Sequence, residues 1–257
     1  MSRIHPSAII ASGAQIGADV EIGPYCTVGG QVKVGDGCRL LAHVNLDGRT
    51  TLGPGCLVYP FASIGTLTQD LKYAGGATYV EIGARTTLRE YVTVNSGTAE
   101  GEVTRVGDGC LIMAYCHVAH ACRIGNDVIM SNNSQLAGHI VVEDQVVLGG
   151  MSGFHQFIHI GRMAMVGGMS RITKDVPPYM LVEGNPAQVY GINAVGLTRR
   201  NVSAGSQQHL KAAHALLYRQ QLSTRQALDK IRAEVAMVPE VEYLVNFVES
   251  SERGIIK

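Results

Sequence analysis

An apolar residue recurs at every sixth position of this chain, almost without interruption, from Ile4 to Ile172. The run reads Ile4, Ile10, Ile16, Ile22, Val28, Val34, Leu40, Leu46, Leu52, Val58 and Ile64, resumes at Ile82, Leu88 and Val94, and continues from Val106 to Ile172. Of twenty-nine slots, only Asp70, Gly76 and Glu100 are not apolar. Hydrophobic residues make up 46% of the sequence, so chance would fill about half the slots. A period of six matches neither the 3.6 of a helix nor the two of a strand. It fits a solenoid in which each hexad is a short strand plus a corner, with the large anchor pointing inward. Three hexads close one triangular coil of eighteen residues, and coils stack at strand spacing, roughly 4.8 Å. The hand of the coil does not follow from the period.

Glycine often follows the anchor, as in Ile16-Gly17, Ile82-Gly83, Ile124-Gly125 and Ile160-Gly161. It suits a corner that needs unusual dihedrals or close backbone approach. The fourth position after the anchor is small or modest. All six cysteines (Cys26, Cys38, Cys56, Cys110, Cys116, Cys122) fall there, where cysteine packs as a compact hydrophobe rather than as a redox group or metal ligand.

The repeat breaks twice. Residues 66–79 lose their anchors at Asp70 and Gly76, so this stretch is expected to leave the prism as a loop, where function is commonly grafted onto a rigid scaffold. A second excursion is expected near 99–104, around Glu100. The double proline Pro177-Pro178 should end the repeat, because proline cannot donate to a strand ladder. Residues 1–190 are therefore read as an all-β solenoid and 191–257 as a C-terminal helical domain that covers its end. Ser223-Thr-Arg-Gln226 has the form of a capping box opening a helix through Ala227, Leu228 and Ile231. Leu210, Ala213, Leu216 and Leu217 form another apolar stripe, and Pro239 starts a third helix.

Composition narrows the partners. The formal net charge is zero and tryptophan is absent, so the totals carry no footprint of a nucleic-acid or membrane-surface binder. No signal-peptide pattern and no eighteen-residue apolar run occur, which predicts a cytoplasmic protein without stable membrane insertion.

Within the uninterrupted hexads, the eighteen-residue repeat places His120, His139, His155 and Gln156 along one vertical edge over about 10 Å. His117 lies round the corner on the rung of His120. Two chemistries compete for such an edge. A neutral imidazole serves as general base on a hydroxyl near pH 7. Alternatively, three histidines bind Zn²⁺ with one position open, as in hexapeptide-repeat carbonic anhydrases. Those enzymes typically space their close histidine pair with four residues between, whereas His117 and His120 have two. No carboxylate is expected on the edge either, so no metal is assigned.

Seven motifs then follow one family in order: Gln69-Asp-Leu-Lys-Tyr73, His117-Val-Ala-His120, Leu136-Ala-Gly-His139, Phe154-His-Gln-Phe157, Lys174-Asp-Val-Pro-Pro178, Gly184-Asn-Pro-Ala187 and Gly196-Leu-Thr-Arg-Arg200. The chain resembles, over essentially its whole length, the cytoplasmic UDP-N-acetylglucosamine O-acyltransferases that begin lipid A synthesis in Gram-negative bacteria. The resemblance implies a left-handed parallel β-helix with a helical cap. It also implies a homotrimer whose active sites lie in clefts between neighbouring solenoids. The expected reaction moves a 3-hydroxyacyl chain from acyl carrier protein to the glucosamine 3-position. No cofactor is implied beyond the phosphopantetheine thioester on the carrier.

By the same resemblance His120 is the general base and the amide of Gly138 the oxyanion donor. Gln69, Asp70 and Lys72 match loop residues that hold the sugar nucleotide. His117, His139, His155 and Gln156 match residues contacting substrate or phosphopantetheine, and Asn193 is placed with the substrate-binding group. Arg199 and Arg200 match cap residues that meet the UDP phosphates or the acidic carrier protein, a role suited to paired guanidinium groups. Gly168 matches the acyl-chain ruler, and its lack of a side chain predicts a chain of about fourteen carbons.

Three departures from the family pattern bear on mechanism. Ala121 stands where Asp commonly follows the catalytic histidine, Asn95-Ser96 replaces the usual His-Arg, and Val195 replaces a common Glu. These leave open a 3-amino sugar as acceptor, with amide formation. A sister N-acyltransferase normally carries an extra N-terminal domain, for which hexads starting at Ile4 leave no room.

Overall fold

The computed structural model describes residues 2–257. The hexads become strands of mostly two residues, each followed by a turn. They stack into three parallel sheets of eleven, nine and eight strands, one per face of a triangular prism. Neighbouring strands pair eighteen residues apart, as Arg123 with Val141 and Ile124 with Val142. Where a loop leaves the prism the step lengthens: Arg49 pairs with Tyr79 and Thr93 with His117.

From Ile22 to Ile172 the anchors are buried and fill the prism with one continuous core. The first coil differs. Ile4 is 46% exposed and Ile10 and Ile16 are only partly covered, because among the described residues no coil packs beneath them. The cysteines are all free and buried, and Cys116 Sγ donates to the Ser131 carbonyl at 3.0 Å. Burial pushes the thiols of Cys110 and Cys116 up to about 11, so they stay protonated and unreactive at neutral pH.

The glycines after the anchors are there for close approach. Gly17, Gly83, Gly107 and Gly125 keep negative φ, and a Cβ at Gly107 would run into the carbonyl of Gly125 in the next coil. The left-handed backbone falls two residues later and is carried mostly by side-chain-bearing residues, among them Tyr115 (φ 63°), His139 (φ 60°) and Phe157 (φ 64°), with glycine there at Gly37, Gly55 and Gly109. Left-handed backbone is uncommon for such residues. Here it turns each corner, and it aims the corner side chains outward in vertical columns.

Pro177-Pro178 does not end the sheet. Met180–Gly184 pairs in parallel with Met165–Val166 and then folds back antiparallel onto Ala187–Ile192. The prolines occupy the turn, where no ladder donor is needed, with Pro178 over Gly161. Four helices follow: α1 (Ala194–Arg199), α2 (Ala204–Tyr218), α3 (Thr224–Glu234) and α4 (Pro239–Ser250). The capping box at Ser223 and Gln226 is formed, and Pro239 opens α4. The short α1, capped by Asn193, has too brief an apolar pattern to be read from sequence.

The cap is joined to the prism at Glu143. Its Oε1 accepts from the Tyr243 hydroxyl at 2.8 Å, its Oε2 accepts from the Arg162 amide at 2.7 Å, and His159 Nε2 lies 2.8 Å from Oε1. No helix of the described residues is long and apolar enough to cross a membrane.

Candidate active site

His120 sits at the turn that follows the strand His117–Val118. One coil further on, Gly138 lies against its imidazole, and any side chain at 138 would occupy the space of that ring. The ring of His139 meets His120 edge-on at 4.9 Å between centroids and stacks on Phe157 at 4.6 Å. A backbone bond of 3.0 Å from the His139 amide to the His120 carbonyl ties the two corners together.

Gly138 has a second consequence. At another corner, short Asx side chains cap the corresponding amides of the coil below, as Asp108 N–H to Asn126 Oδ1 and Asn126 N–H to Asp144 Oδ1. The histidine corner carries Gly138 and Gln156 at those places instead. Among the described residues the Gly138 amide has no hydrogen-bond partner.

Both excursions fold back onto this corner and bring carboxylates that the repeat spacing did not place there: Asp70, which the resemblance set with the sugar nucleotide, and Glu102, which no sequence motif singles out. Asp70 Oδ2 lies 3.7 Å from His120 Nε2, and Glu102 Oε1 lies 3.8 Å from His139 Nδ1. The reason is geometric: the chain between Thr93 and His117 is longer than one coil, and the surplus carries Glu102 to the level of His120 and His139. The loop of Asp70 is pinned at its base by the residues that depart from the family pattern. Asn95 Nδ2 donates to Thr66 Oγ1 at 2.9 Å and to the Leu67 carbonyl at 3.1 Å, and Thr78 Oγ1 donates to Ser96 Oγ at 3.0 Å. Asp70 Oδ1 in turn accepts from the Lys72 amide at 3.0 Å. Glu102 is fixed through Oε2, which accepts from the amides of Thr98 and Ala99 at 2.7 and 3.2 Å.

The electrostatics favour the neutral form of His120 and His117. Burial lowers the His120 pKa below the ordinary imidazole value, and His139 adds to the effect, while Asp70 and Glu102 oppose it. His120 Nδ1 is buried without a hydrogen-bond partner among the described residues, and Ala121, next along, has no polar group to offer it. His117 is likewise lowered by burial, and then by His120. Its Nδ1 lies 2.7 Å from Thr93 Oγ1.

The remaining residues singled out from the sequence scatter. His155 and Gln156 are exposed one coil beyond, with His155 Nδ1 against the Gln156 carbonyl, which also accepts from Arg253. Asn193 is occupied as the cap of α1, accepting from the Gly196 amide and donating to the Met163 carbonyl. Arg200 pairs with Asp127 at 3.7 Å, on the next corner column from His120, and Arg199 is exposed beside it. Gly168 belongs to the third column, beside exposed Met169 and Met151. That column begins as a ladder of stacked rings, Tyr25, His43, Phe61, Tyr91 and Tyr115, with centroids 4.7 to 5.0 Å apart. One chain thus unites Asp70, Lys72, Glu102, His117, His120, Gly138 and His139, but not the arginine pair or Gly168.

Residues 175–256 match the family model for domain 2 of UDP-N-acetylglucosamine O-acyltransferase, and residues 104–138 match that of bacterial transferase hexapeptide repeats. The chain is 45% identical, over all of both sequences, to an acyl-[acyl-carrier-protein]–UDP-N-acetylglucosamine O-acyltransferase of Thermodesulfovibrio yellowstonii. It is 49% identical to one from Synechocystis, over 81% of this chain and 75% of that one. The solved structure of LpxA from Acinetobacter baumannii superposes with a TM-score of 0.94 at 42% identity, covering 99% of each chain. That of LpxA, a UDP-N-acetylglucosamine acyltransferase, from Bacteroides fragilis superposes with a TM-score of 0.96 at 38% identity, covering 99% of this chain and all of the other. The fold is the left-handed parallel β-helix closed by a helical cap, and the chain belongs to the acyl-[acyl-carrier-protein]–UDP-N-acetylglucosamine O-acyltransferase family.

Proposed function

We infer that this protein transfers a 3-hydroxyacyl chain from acyl carrier protein to the 3-hydroxyl of the glucosamine in UDP-N-acetylglucosamine, the first step of lipid A synthesis. The observation that carries the chemistry is a neutral, half-enclosed imidazole, His120, set against a glycine whose amide is free. His120 takes the proton of the sugar hydroxyl as its oxygen attacks the thioester carbonyl. The negative charge that develops on the carbonyl oxygen is met by the Gly138 amide. The C–S bond then breaks as the ester C–O bond is kept, and the proton on His120 passes to the leaving phosphopantetheine thiolate. A base of this kind contributes about 10² to 10⁴ in rate.

Asp70 and Lys72 approach His120 from the loop and are suited to hold the sugar, with Gln69 beside them. His117, His139, His155 and Gln156 extend the same edge toward the pantetheine arm. The relatives' names describe O-acyl transfer, which supports a hydroxyl acceptor over an amine and acyl transfer over carbonic-anhydrase chemistry.

The working unit is a trimer. Within one chain the histidine corner, the arginine pair and the Gly168 column lie on three different edges of the prism, so a neighbouring chain is needed to bring one edge against another, as in the trimer that the family resemblance implies. The exposed aromatic and methionine column is apolar surface of the kind that subunit contacts cover. Arg199 and Arg200 then meet the diphosphate or the acidic carrier, with Asn193 setting the start of their helix. Incubation with 3-hydroxyacyl carrier protein and UDP-N-acetylglucosamine, followed by mass spectrometry of the sugar nucleotide, tests the reading at the cytoplasmic pH where such an enzyme works. A 3-O-acylated product is expected, and an unmodified sugar with intact, folded protein overturns it.

A further inference from the structure

Glu102, His120 and His139 each offer one ligand atom, and the three atoms lie within 4.8 Å of one another. They come from three separate segments: the second excursion and two successive corners of the prism. Two imidazoles and one carboxylate are the donor set of a three-ligand zinc site with a fourth position open to solvent.

We propose that these three residues bind a divalent transition-metal ion, zinc above all, and that its occupancy blocks acyl transfer. The second part rests on the function proposed above; the first does not. From the sequence no metal is assigned, because His117 and His120 are spaced by two residues rather than four and no carboxylate is expected on the edge; Glu102 now supplies one.

Three features make this more than a chance grouping. The carboxylate is already oriented, since Oε2 of Glu102 is held by the amides of Thr98 and Ala99 while Oε1 faces His139. Outer hydrogen bonds of that kind aim a ligand at its metal. His139 is steadied on its other side by the stacked ring of Phe157. His120 is seated against the backbone of Gly138, where the absence of a side chain leaves room for its ring. Zinc–nitrogen bonds of about 2.0–2.1 Å in a tetrahedron require donors roughly 3.4 Å apart, which a modest inward turn of these side chains supplies. Nitrogen donors favour zinc, cobalt or nickel over magnesium or calcium. Because the ion takes up the His120 lone pair, the base and the metal exclude each other.

The test uses the full-length protein stripped with a chelator. Titration with Co²⁺ should give the visible absorption of a tetrahedral site, and calorimetry with Zn²⁺ should give one ion per chain. Glu102→Gln should weaken both by about tenfold or more, with the fold unchanged by circular dichroism. In turnover, Zn²⁺ should inhibit the wild type over the range in which it binds, and chelator should restore the rate. Glu102→Gln, scored against its own metal-free rate, should need about tenfold more zinc or beyond. Absence of metal uptake, or uptake that Glu102→Gln leaves unchanged, overturns the site. Uptake at the site without inhibition overturns the proposed blockade. Absence of turnover in metal-free wild type would instead tell against the acyltransferase reading, and the cobalt titration would still decide the site.

Discussion

The imidazole of His120 fills the space that a side chain on Gly138 would need. The same glycine therefore does two jobs: it leaves room for the base and presents its own amide beside it. Gly138→Ala should displace the ring without disturbing the core, because residue 138 is buried beneath His120 in a corner turn rather than among the apolar anchors. We expect kcat to fall by about 10² or more while circular dichroism and melting temperature stay close to wild type, with the loss in kcat rather than in KM. Unchanged turnover in a folded Gly138→Ala protein would show that the position of the His120 ring is dispensable.

The pH profile should carry the mark of a buried base. The active form is the neutral imidazole, so the rate is level above the His120 pKa and falls as pH drops through it. Burial holds that pKa below the ordinary value of 6.5, so the acid limb of kcat/KM should lie below that value. Asp70 favours the protonated ring, and Asp70→Asn removes that help. The limb should then move to still lower pH. A move to higher pH would contradict the assignment.

Glu143 should anchor the cap. Burial works to raise its pKa, but the bonds from His159, Tyr243 and the Arg162 amide outweigh it and hold the carboxyl below 4.5. A carboxylate with a depressed folded pKa contributes stability that is full above the unfolded value and lost as pH falls through the folded one. Glu143→Gln should cost about 1–3 kcal/mol at neutral pH, read by denaturant unfolding. The gap to wild type should close below the folded pKa.

Chain length offers a separate check. A bulky residue at Gly168 shortens the space beside Met169, so Gly168→Met should shift preference toward shorter 3-hydroxyacyl chains. Each methylene is worth about 10- to 200-fold in kcat/KM. Competition between ten- and about fourteen-carbon donors reads the change directly, and an unaltered preference would remove Gly168 from the acyl groove.

Much of this molecule is legible from its hexads, because each anchor obeys one local rule, repeated. The prism, the cysteine slots, the histidine edge and the capping box at Ser223 all follow from spacing or short motifs. Glu102 was missed for a physical reason: it sits on an excursion, where the period that assigns angular position does not run. The extra residues between Thr93 and His117, at the level of His120, were the available signal. Helix α1 and the strand past Pro177-Pro178 escaped because each depends on tertiary pairing rather than pattern. The roles proposed for Arg199, Arg200 and Gly168 rest on the proposed trimer, and no single-chain periodicity encodes a neighbouring chain.

His120 as the base for acyl transfer to the sugar hydroxyl is put to the test by a single substitution. Wild type and His120→Ala are assayed side by side for transfer from 3-hydroxyacyl carrier protein to UDP-N-acetylglucosamine, with folding checked by circular dichroism. We predict ester formation by the wild type and a loss of about 10² to 10⁴ in kcat for a fully folded His120→Ala. A folded His120→Ala that turns over at the wild-type rate would contradict the account.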